Sequence, residues 1–498
     1  MKKILFFAIS ITALLLLWWI IAKKIAAPLV LPYPADVWSC IVSLVSEKKF
    51  AASFIKTLLR CFSAFSLALI FGFALGLFSA LCPAFSAFIE PILALVRSVP
   101  VVSVILLALF WLKSDGVPIF VSFLMTLPVM TNAVRAGFSN HSEEDRRLFE
   151  MAETFSLTRF QRLIFLFIPR AFPSVASGAK SIAGMTWKLV CAGEVLSLPK
   201  SAAGTFLQNA QVLLETADVF AITIIIVFAS FIFCSIVNFF LYILKKSARF
   251  FTKIYFLYDN LVSIPFISVK KIPESSGVPV AVKNLFVRLK EILYDDFSVD
   301  FAPSTLTSIL APSGLGKTTL LRVISKKMRE NGASVSQLFQ EPRLLPHLTV
   351  LENAMLPLLN FFGAKQSRHL ATEMLVALSL LSKLDSFPPE LSGGEKQRAA
   401  MARAFLFPAN ILLLDEPFQS QDFAGKMRLI RVFQKIRAEK KSTVIAVTHD
   451  PHEAALLKGR ILLLKSRPAK ISLDIDTKDF SANEVEKMII ENLLTDFS

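Results

Sequence analysis

Long uncharged runs separated by short charged stretches occupy the chain up to Leu244. A different rhythm follows, with short apolar runs of strand length set between amphipathic segments. Residues 4–22 carry no charge and follow Lys2-Lys3. This run is long for the apolar core of a cleavable signal and lacks a small-residue cleavage site, so it reads as an uncleaved first span. Further apolar stretches cover 61–89 (interrupted by Pro83), 92–112 (with Arg97 near its start), 116–134, 174–198 and 219–244, the last closed by Lys245-Lys246. Backbone groups in hydrocarbon must pair within their own segment, so each stretch is expected to be a helix. The expectation for residues 1–248 is an all-α polytopic membrane domain of about six transmembrane helices.

The stretch 174–198 also contains Lys180, Lys188 and Glu194. Charges inside a span line a bundle interior or solute path, or they pair and snorkel near the membrane surface, and both readings stand. An even number of spans puts both ends on one side. With the second half cytosolic, Arg146-Arg147, Arg159, Arg162, Arg170 and Lys245-Lys246 fall inside, as cytoplasmic loops prefer, whereas Lys23-Lys24 and Lys48-Lys49 fall outside.

Composition agrees with a membrane protein, since 54% of the 498 residues are hydrophobic. The net charge of +16 suits either nucleic acid or an anionic membrane surface. Basic clusters flanking the apolar runs favour membrane lipid and no nucleic acid. Cys40, Cys61, Cys82, Cys191 and Cys234 show no metal-ligand or redox spacing and read as packing residues. From Lys245 to Lys271 basic and aromatic residues alternate, as in a surface-lying segment, before the turn-rich Glu274-Ser275-Ser276-Gly277. Residues 249–278 are therefore expected to be a juxtamembrane linker and 279–498 a second domain.

That domain begins with a phosphate-binding pattern. The apolar run Leu306–Leu310 reads as a buried strand and Leu320–Ile324 as the start of a helix. Between them stand Ala311, Pro312, Ser313, Gly314, Leu315, Gly316, Lys317, Thr318 and Thr319. Gly314 and Gly316 let the backbone curl so that its N–H groups point inward, and the helix N-terminus adds its positive end. Lys317 is placed for the β- and γ-phosphates of ATP, and the Thr318 hydroxyl for Mg²⁺. Downstream come Gln340 in Leu338–Pro346, then Leu391-Ser392-Gly393-Gly394-Glu395-Lys396-Gln397-Arg398, then Ile411–Leu414 running into Asp415-Glu416-Pro417, and finally Thr448-His449-Asp450. A carboxylate ending a buried strand beside the phosphate loop suits Mg²⁺ held through water (Asp415). Its neighbour Glu416 suits a general base.

These motifs in this order resemble the ABC ATPases, and the resemblance covers about residues 279–475. It implies an α/β P-loop ATPase fold, with Gln340 as the glutamine that senses Mg²⁺ and His449 as the switch at the γ-phosphate. It also implies that Ser392, Gly393, Gly394 and Asp422 face ATP bound on an opposite subunit. Four features depart from the pattern. Ala311 stands where glycine is usual, and Gln340 follows Lys317 unusually soon. The segment after Glu416 reads Phe418-Gln419-Ser420-Gln421-Asp422 in place of Gly-Ala-Leu-Asp. The adenine-stacking aromatic expected near Arg288-Leu289 is missing, with Phe286 or Tyr294 as substitutes. Lys317, Asp415, Glu416 and His449 are all present, so the ATPase is expected to be active.

The charged segment 135–172 contains Glu150-Met151-Ala152-Glu153-Thr154-Phe155-Ser156-Leu157 and then Phe167-Ile168-Pro169. It is similar to the EAA loop of binding-protein-dependent importer permeases, a short cytoplasmic helix that docks on the ATPase. Met151 replaces an alanine and Ser156 a glycine. Leu31–Trp38, Arg97–Pro100 and Arg467-Pro468 resemble nitrate/sulfonate/taurine-type transporters. The resemblance implies ATP-driven import of a small solute, of that type or like a thiamine precursor. It further implies a separate extracytoplasmic binding protein, a homodimer, and the cytoplasmic (inner) membrane. The alternative from the residues is a membrane-anchored ATPase with a mechanochemical or regulatory role. An exporter would carry longer helices reaching into the cytosol.

Overall fold

A computed structural model describes residues 2–139, 142–261, 276–288, 291–312 and 314–494. Two compact units divide the chain: residues 1–140 with 167–248, and residues 141–166 with 249–498.

The first unit is helical: α1 (Lys2–Ile25), α2 (Pro34–Ser46), α3 (Lys48–Leu81), α4 (Pro83–Ser98), α5 (Val101–Trp111) and α6 (Val117–Ser139). After the intervening segment come α9 (Ile168–Ser197), α10 (Ala203–Val212) and α11 (Thr216–Leu261), the last continuing well past the expected end at Leu244. Among the described residues, α3, α6 and α11 as far as Leu244 are each long and apolar enough to cross a membrane. The expected span 92–112 is divided between two helices: α4 and α5 meet at an angle of 101°, the geometry of a broken span or a re-entrant loop. Pro100 explains the break: it supplies no N–H and pushes Val99 out of the helical region, to φ −74° and ψ 131°. α9 is long enough to span but carries the three charges noted above.

α3, α6 and α9 form the centre of the unit. Small residues let two of them touch closely. A Cβ on Gly72 would lie 2.6 Å from Met130 Cβ, and one on Gly76 2.6 Å from Val134 Cβ. Outward faces are apolar and exposed, with Ile55, Ile70, Phe71, Phe228, Phe231 and Phe239 among them. A surface of this kind suits lipid contact.

Of the charges in α9, Lys188 is exposed and Glu194 is fully buried. Glu194 accepts hydrogen bonds from Thr57 Oγ1 (2.9 Å), Arg60 Nη1 (2.8 Å) and the Gly204 N–H (3.0 Å). The other arm of Arg60 pairs with Asp115 at 2.6 Å. This network ties α3, α9 and α10 together, a bracing role. Removing one partner of a buried pair leaves an uncompensated charge, so Arg60→Met is expected to cost about 3–5 kcal/mol. A thermal melt in detergent reads this as a large drop in midpoint, and an unchanged midpoint would remove the bracing role.

The second unit begins with α7 (Glu143–Thr154) and α8 (Arg159–Arg162) and resumes after α11. β1 (Val280–Arg288) and β2 (Ile292–Phe301) form an antiparallel pair. Six further strands make one sheet: β3 (Leu306–Leu310), β4 (Val335–Leu338), β5 (Ile411–Asp415), β6 (Thr443–Thr448), β7 (Arg460–Lys465) and β8 (Lys470–Asp476). Their order is β4-β5-β6-β3-β7-β8, parallel except for β8 at the edge. β3, β5 and β6 are buried at every position, as central strands of a sheet covered on both faces are; β5 is a continuous apolar run up to Asp415, while β3 also buries Thr307 and Ser308. The helices are α12 (Lys317–Glu330), α13 (Val350–Met355), α14 (Ala364–Ala377), α15 (Gly393–Leu406), α16 (Phe423–Glu439), α17 (Pro451–Leu457) and α18 (Ala482–Leu494). Parallel order brings the carboxyl ends of β3, β5 and β6 side by side, where α/β sheets bind ligands.

Candidate functional site

The loop after β3 is shaped by two left-handed residues, Gly314 (φ 85°) and Gly316 (φ 83°), a conformation glycine adopts without strain. Gly316 caps α12 with no side-chain hydrogen bond, so the first N–H groups of the helix stay available to an anion. Ala311 packs in the core at 4% exposure, which accounts for a methyl being tolerated there. Pro312 and Gly314 are exposed, Leu315 is buried and Thr319 half-buried, while Ser313 lies outside the described residues.

Lys317 is buried, and its Nζ donates to Ala311 O at 2.6 Å and lies 3.7 Å from Glu416 Oε1. Burial pushes its ammonium below the ordinary lysine value, and the neighbouring carboxylates Glu416 and Asp415 oppose that. Asp415, 2% exposed, ends β5. Burial raises its carboxyl above the usual range, and a hydrogen bond from Thr318 counters it. Asp415 Oδ2 is buried with no partner. An orphaned carboxylate oxygen beside a hydroxyl is a hard-oxygen donor set and fits Mg²⁺.

Glu416 follows in the left-handed region at φ 47°, anchored by its N–H to Val447 O at 2.9 Å. Its Oε2 lies 2.7 Å from His449 Nδ1. The structure thus gathers Lys317, Thr318, Asp415, Glu416 and His449 at the ends of three adjacent strands. Gln340 is exposed just past β4.

Ser392 is exposed at the start of α15, where it forms a capping box with Glu395: Ser392 N–H donates to Oε2 at 2.8 Å. These bonds hold the Glu395 carboxyl below its ordinary value. At this helix N-terminus Gly393 has open space around it, whereas Gly394 is packed closely against Ser420 and Gln421. Asp422 is exposed and precedes α16 with no side-chain cap bond. Among the described residues, no hydrogen bond or ion pair joins Ser392 or Asp422 to the phosphate loop.

Three contacts escaped the sequence reading. Tyr294 is fully buried and its hydroxyl donates to Gly316 O at 3.1 Å, so it shapes the loop and has no face left for adenine. This corrects its suggested stacking role; Phe286, 58% exposed, keeps an open ring. Arg467 donates to Gly314 O at 3.0 Å and pairs with Glu291. Gln421, in the unusual segment, donates to Gly394 O at 3.0 Å and accepts from Arg398 Nη1 at 3.0 Å, tying it to the head of α15. Each is a bond to one specific backbone or side-chain atom and leaves no periodic signal, though the departure at Gln421 was itself a pointer.

The segment 143–166 packs within this same unit. Met151, Ala152 and Phe155 are fully buried in the helical core that contains α13, α14 and α15. Phe155 meets Phe407 edge-on at 5.7 Å, and the Arg403 guanidinium lies 5.1 Å from its ring centre. Glu150 receives Arg322 Nε at 3.1 Å and Arg343 Nη1 at 2.9 Å, and Arg147 pairs with Glu341. Ser156 sits at φ 53°, the conformation that favours glycine there, and its carbonyl accepts from Asn360 Nδ2 at 2.8 Å.

Fold and site together define a P-loop ATPase joined to a polytopic helical unit. Residues 294–419 match the profile described as "ABC transporter". Residues 72–250 match "Binding-protein-dependent transport system inner membrane component". The aliphatic sulfonates import ATP-binding protein SsuB of Delftia acidovorans is 42% identical over 193 residues, 37% of this chain and 77% of that protein. SsuB 1 of Rhodococcus jostii is 38% identical over 181 residues, 34% of this chain and 71% of that protein. A solved dimeric ATP-binding cassette carrying ADP and Pi is 25% identical and covers 41% of this chain, with a TM-score of 0.37. The chain belongs to the ABC transporter family, as an importer with permease and ATPase in one polypeptide. Its ATPase unit binds ATP and couples hydrolysis to transport.

Proposed function

We propose that the chain imports a small solute across the cytoplasmic membrane, delivered by a separate extracytoplasmic binding protein. The sulfonate importers among its relatives make a nitrate/sulfonate/taurine-type solute the leading class, ahead of a thiamine-precursor-like one. The observation that carries the coupling is Glu150, held by Arg322 of the phosphate-loop helix and by Arg343, three residues past Gln340.

In this reading Lys317 and the N–H groups of Gly314 to Thr319 bind the β- and γ-phosphates. Thr318 and Asp415 hold Mg²⁺, with Gln340 as a further contributor, and the ion supplies charge neutralisation on the phosphate oxygens when bound. Glu416 takes the proton of the attacking water. His449 fixes the Glu416 carboxylate through the 2.7 Å contact and turns its exposed edge to the γ-phosphate. Ser392, Gly393, Gly394 and Asp422 face the nucleotide of a second copy. One chain has one phosphate loop and one Ser-Gly-Gly signature, so two-fold pairing completes two sites at once. ATP binding then closes the pair and shifts the helical units between their two states.

Expression of this chain alone tests the assembly. A detergent-corrected mass of two 55.3 kDa chains with ATPase activity is expected. An inactive single-chain particle rescued only by a different subunit overturns the homodimer.

A further inference from the structure

The phosphate loop has neighbours outside its own sequence. β7 runs parallel to β3 with Leu463 opposite Leu310, so the turn after β7 comes up beside the loop after β3. That turn, residues 466–469, is itself fixed. The Ala469 N–H donates to Leu293 O at 2.9 Å, and Ser466 Oγ donates to Pro468 O at 3.0 Å. It carries Arg467, a half-exposed side chain. Arg467 Nη2 donates to Gly314 O at 3.0 Å, and Nη1 pairs with Glu291 in the turn between β1 and β2.

Three features set this contact apart from an ordinary surface bond. First, both arms of the guanidinium are committed. Glu291 pins the cation from one side and leaves the other arm aimed at Gly314 O. Second, Gly314 makes room for it: a Cβ there would lie 2.8 Å from Arg467 Nη2. Glycine at 314 therefore answers to this guanidinium as well as to its φ of 85°. Third, the arrangement recurs two residues on. Besides its helical bond from the Leu320 N–H at 2.9 Å, Gly316 O accepts from the Tyr294 hydroxyl at 3.1 Å. Both glycine carbonyls of the loop thus have side-chain donors from outside it.

In a trans peptide the C=O and the N–H point in opposite directions. A Gly314 carbonyl drawn outward by Arg467 turns the Leu315 N–H to the inner side of the loop. That N–H has a long contact of 3.5 Å to Pro312 O, too weak to compete with a phosphate oxygen. We infer that Arg467 is a positioning residue of the nucleotide site, holding the Gly314–Leu315 peptide so that the Leu315 N–H faces the phosphates before ATP arrives. It acts through the backbone and not on the nucleotide itself. Without it this peptide rotates more freely, and ATP has to order it on binding at a cost in affinity. The inference rests on the reading of residues 311–319 as the phosphate loop and adds to it a residue from another part of the sheet.

ATPase kinetics and equilibrium nucleotide binding of the full chain in lipid nanodiscs test it. Arg467→Ala should raise KM for ATP about tenfold, which corresponds to 1.4 kcal/mol, with kcat within about twofold of the wild type. ADP, which shares the β-phosphate, should lose affinity by the same factor. A lost positioning contact weakens ground state and transition state alike, whereas a damaged fold lowers kcat through a smaller active fraction and leaves KM unchanged. Arg467→Lys keeps a charge and a donor but not the two-armed geometry, and should recover part of the affinity. The loss in Arg467→Ala should be the same at about 50 mM and about 500 mM NaCl. A guanidinium that only attracts the nucleotide through its charge would lose its effect at the higher salt, and that result overturns the positioning role. An unchanged KM in Arg467→Ala, with or without a lower kcat, overturns it too. Lys317→Ala separates this inference from the reading beneath it and should abolish ATP binding. Binding retained in Lys317→Ala sinks the phosphate-loop reading. Binding lost there while Arg467→Ala binds ATP normally sinks the role of Arg467 alone.

Discussion

Glu416→Gln is expected to slow ATP hydrolysis roughly 10²-fold or more while leaving ATP binding intact. The geometry gives both halves of this result. Glu416 presents one carboxylate oxygen 3.7 Å from Lys317 Nζ and the other 2.7 Å from His449 Nδ1. A glutamine of the same shape places its carbonyl toward the lysine and its NH₂ toward the imidazole, so the site stays assembled. It cannot accept the proton of the attacking water. Lys317, the α12 N-terminus, Thr318 and Asp415, which hold the phosphates and metal in this reading, are untouched. Single-turnover hydrolysis alongside equilibrium nucleotide binding makes the measurement. Unchanged turnover would remove Glu416 from the role of base, and lost nucleotide binding would show that its charge holds Lys317 in place.

The ATPase unit was legible because its chemistry fixes residue types at fixed places. Asp415, Glu416 and His449 each stand where a buried strand ends, and Lys317 opens the helix that follows the glycine turn after β3. The helical unit was less legible. Helix α3 starts at Lys48 and runs through Lys49, Lys56 and Arg60, where charge counting placed its beginning at Cys61. Arg60 belongs in the bundle because Glu194, far away in sequence, neutralises it, and hydropathy sees no such pairing. The break at Val99 is local and proline-driven, so Arg97-Ser98-Val99-Pro100 carried the information even though the apolar count masked it. Ser156 shows the limit of a motif comparison. The family's glycine marks a left-handed residue, and serine adopts the same conformation at a cost of about 1–2 kcal/mol. Met151, in place of alanine, is fully buried in the same core, which has room for the longer side chain.

Charge reversal at Glu150 should have the other large effect. Glu150→Lys is expected to cut solute transport per ATP hydrolysed about tenfold, within the roughly 1–3 kcal/mol typical of coupling between sites. Glu150 receives two arginines from different parts of the ATPase unit: Arg322 on the helix that opens with Lys317, and Arg343 after β4. Arg343 is the more constrained of the two. Its side chain is 9% exposed, it lies over the Phe339 ring at 3.7 Å, and its carbonyl accepts from the buried Arg403 at 2.9 Å. Burial pushes the Arg343 guanidinium below its ordinary value, and the Glu150 charge is the leading influence that pulls it back. A lysine at 150 sets a third cation against these two and leaves Arg343 buried without its carboxylate. None of the groups that hold or cleave the phosphates is touched, so basal hydrolysis should persist. Phe155, Met151 and Ala152 keep their buried contacts and hold the segment in place. Proteoliposome uptake and ATPase activity measured on the same preparation separate the two effects. The double variant Glu150→Lys with Arg343→Glu re-forms an opposite-charge pair and should recover part of the transport. Normal uptake by Glu150→Lys alone would show that this ion cluster carries no coupling.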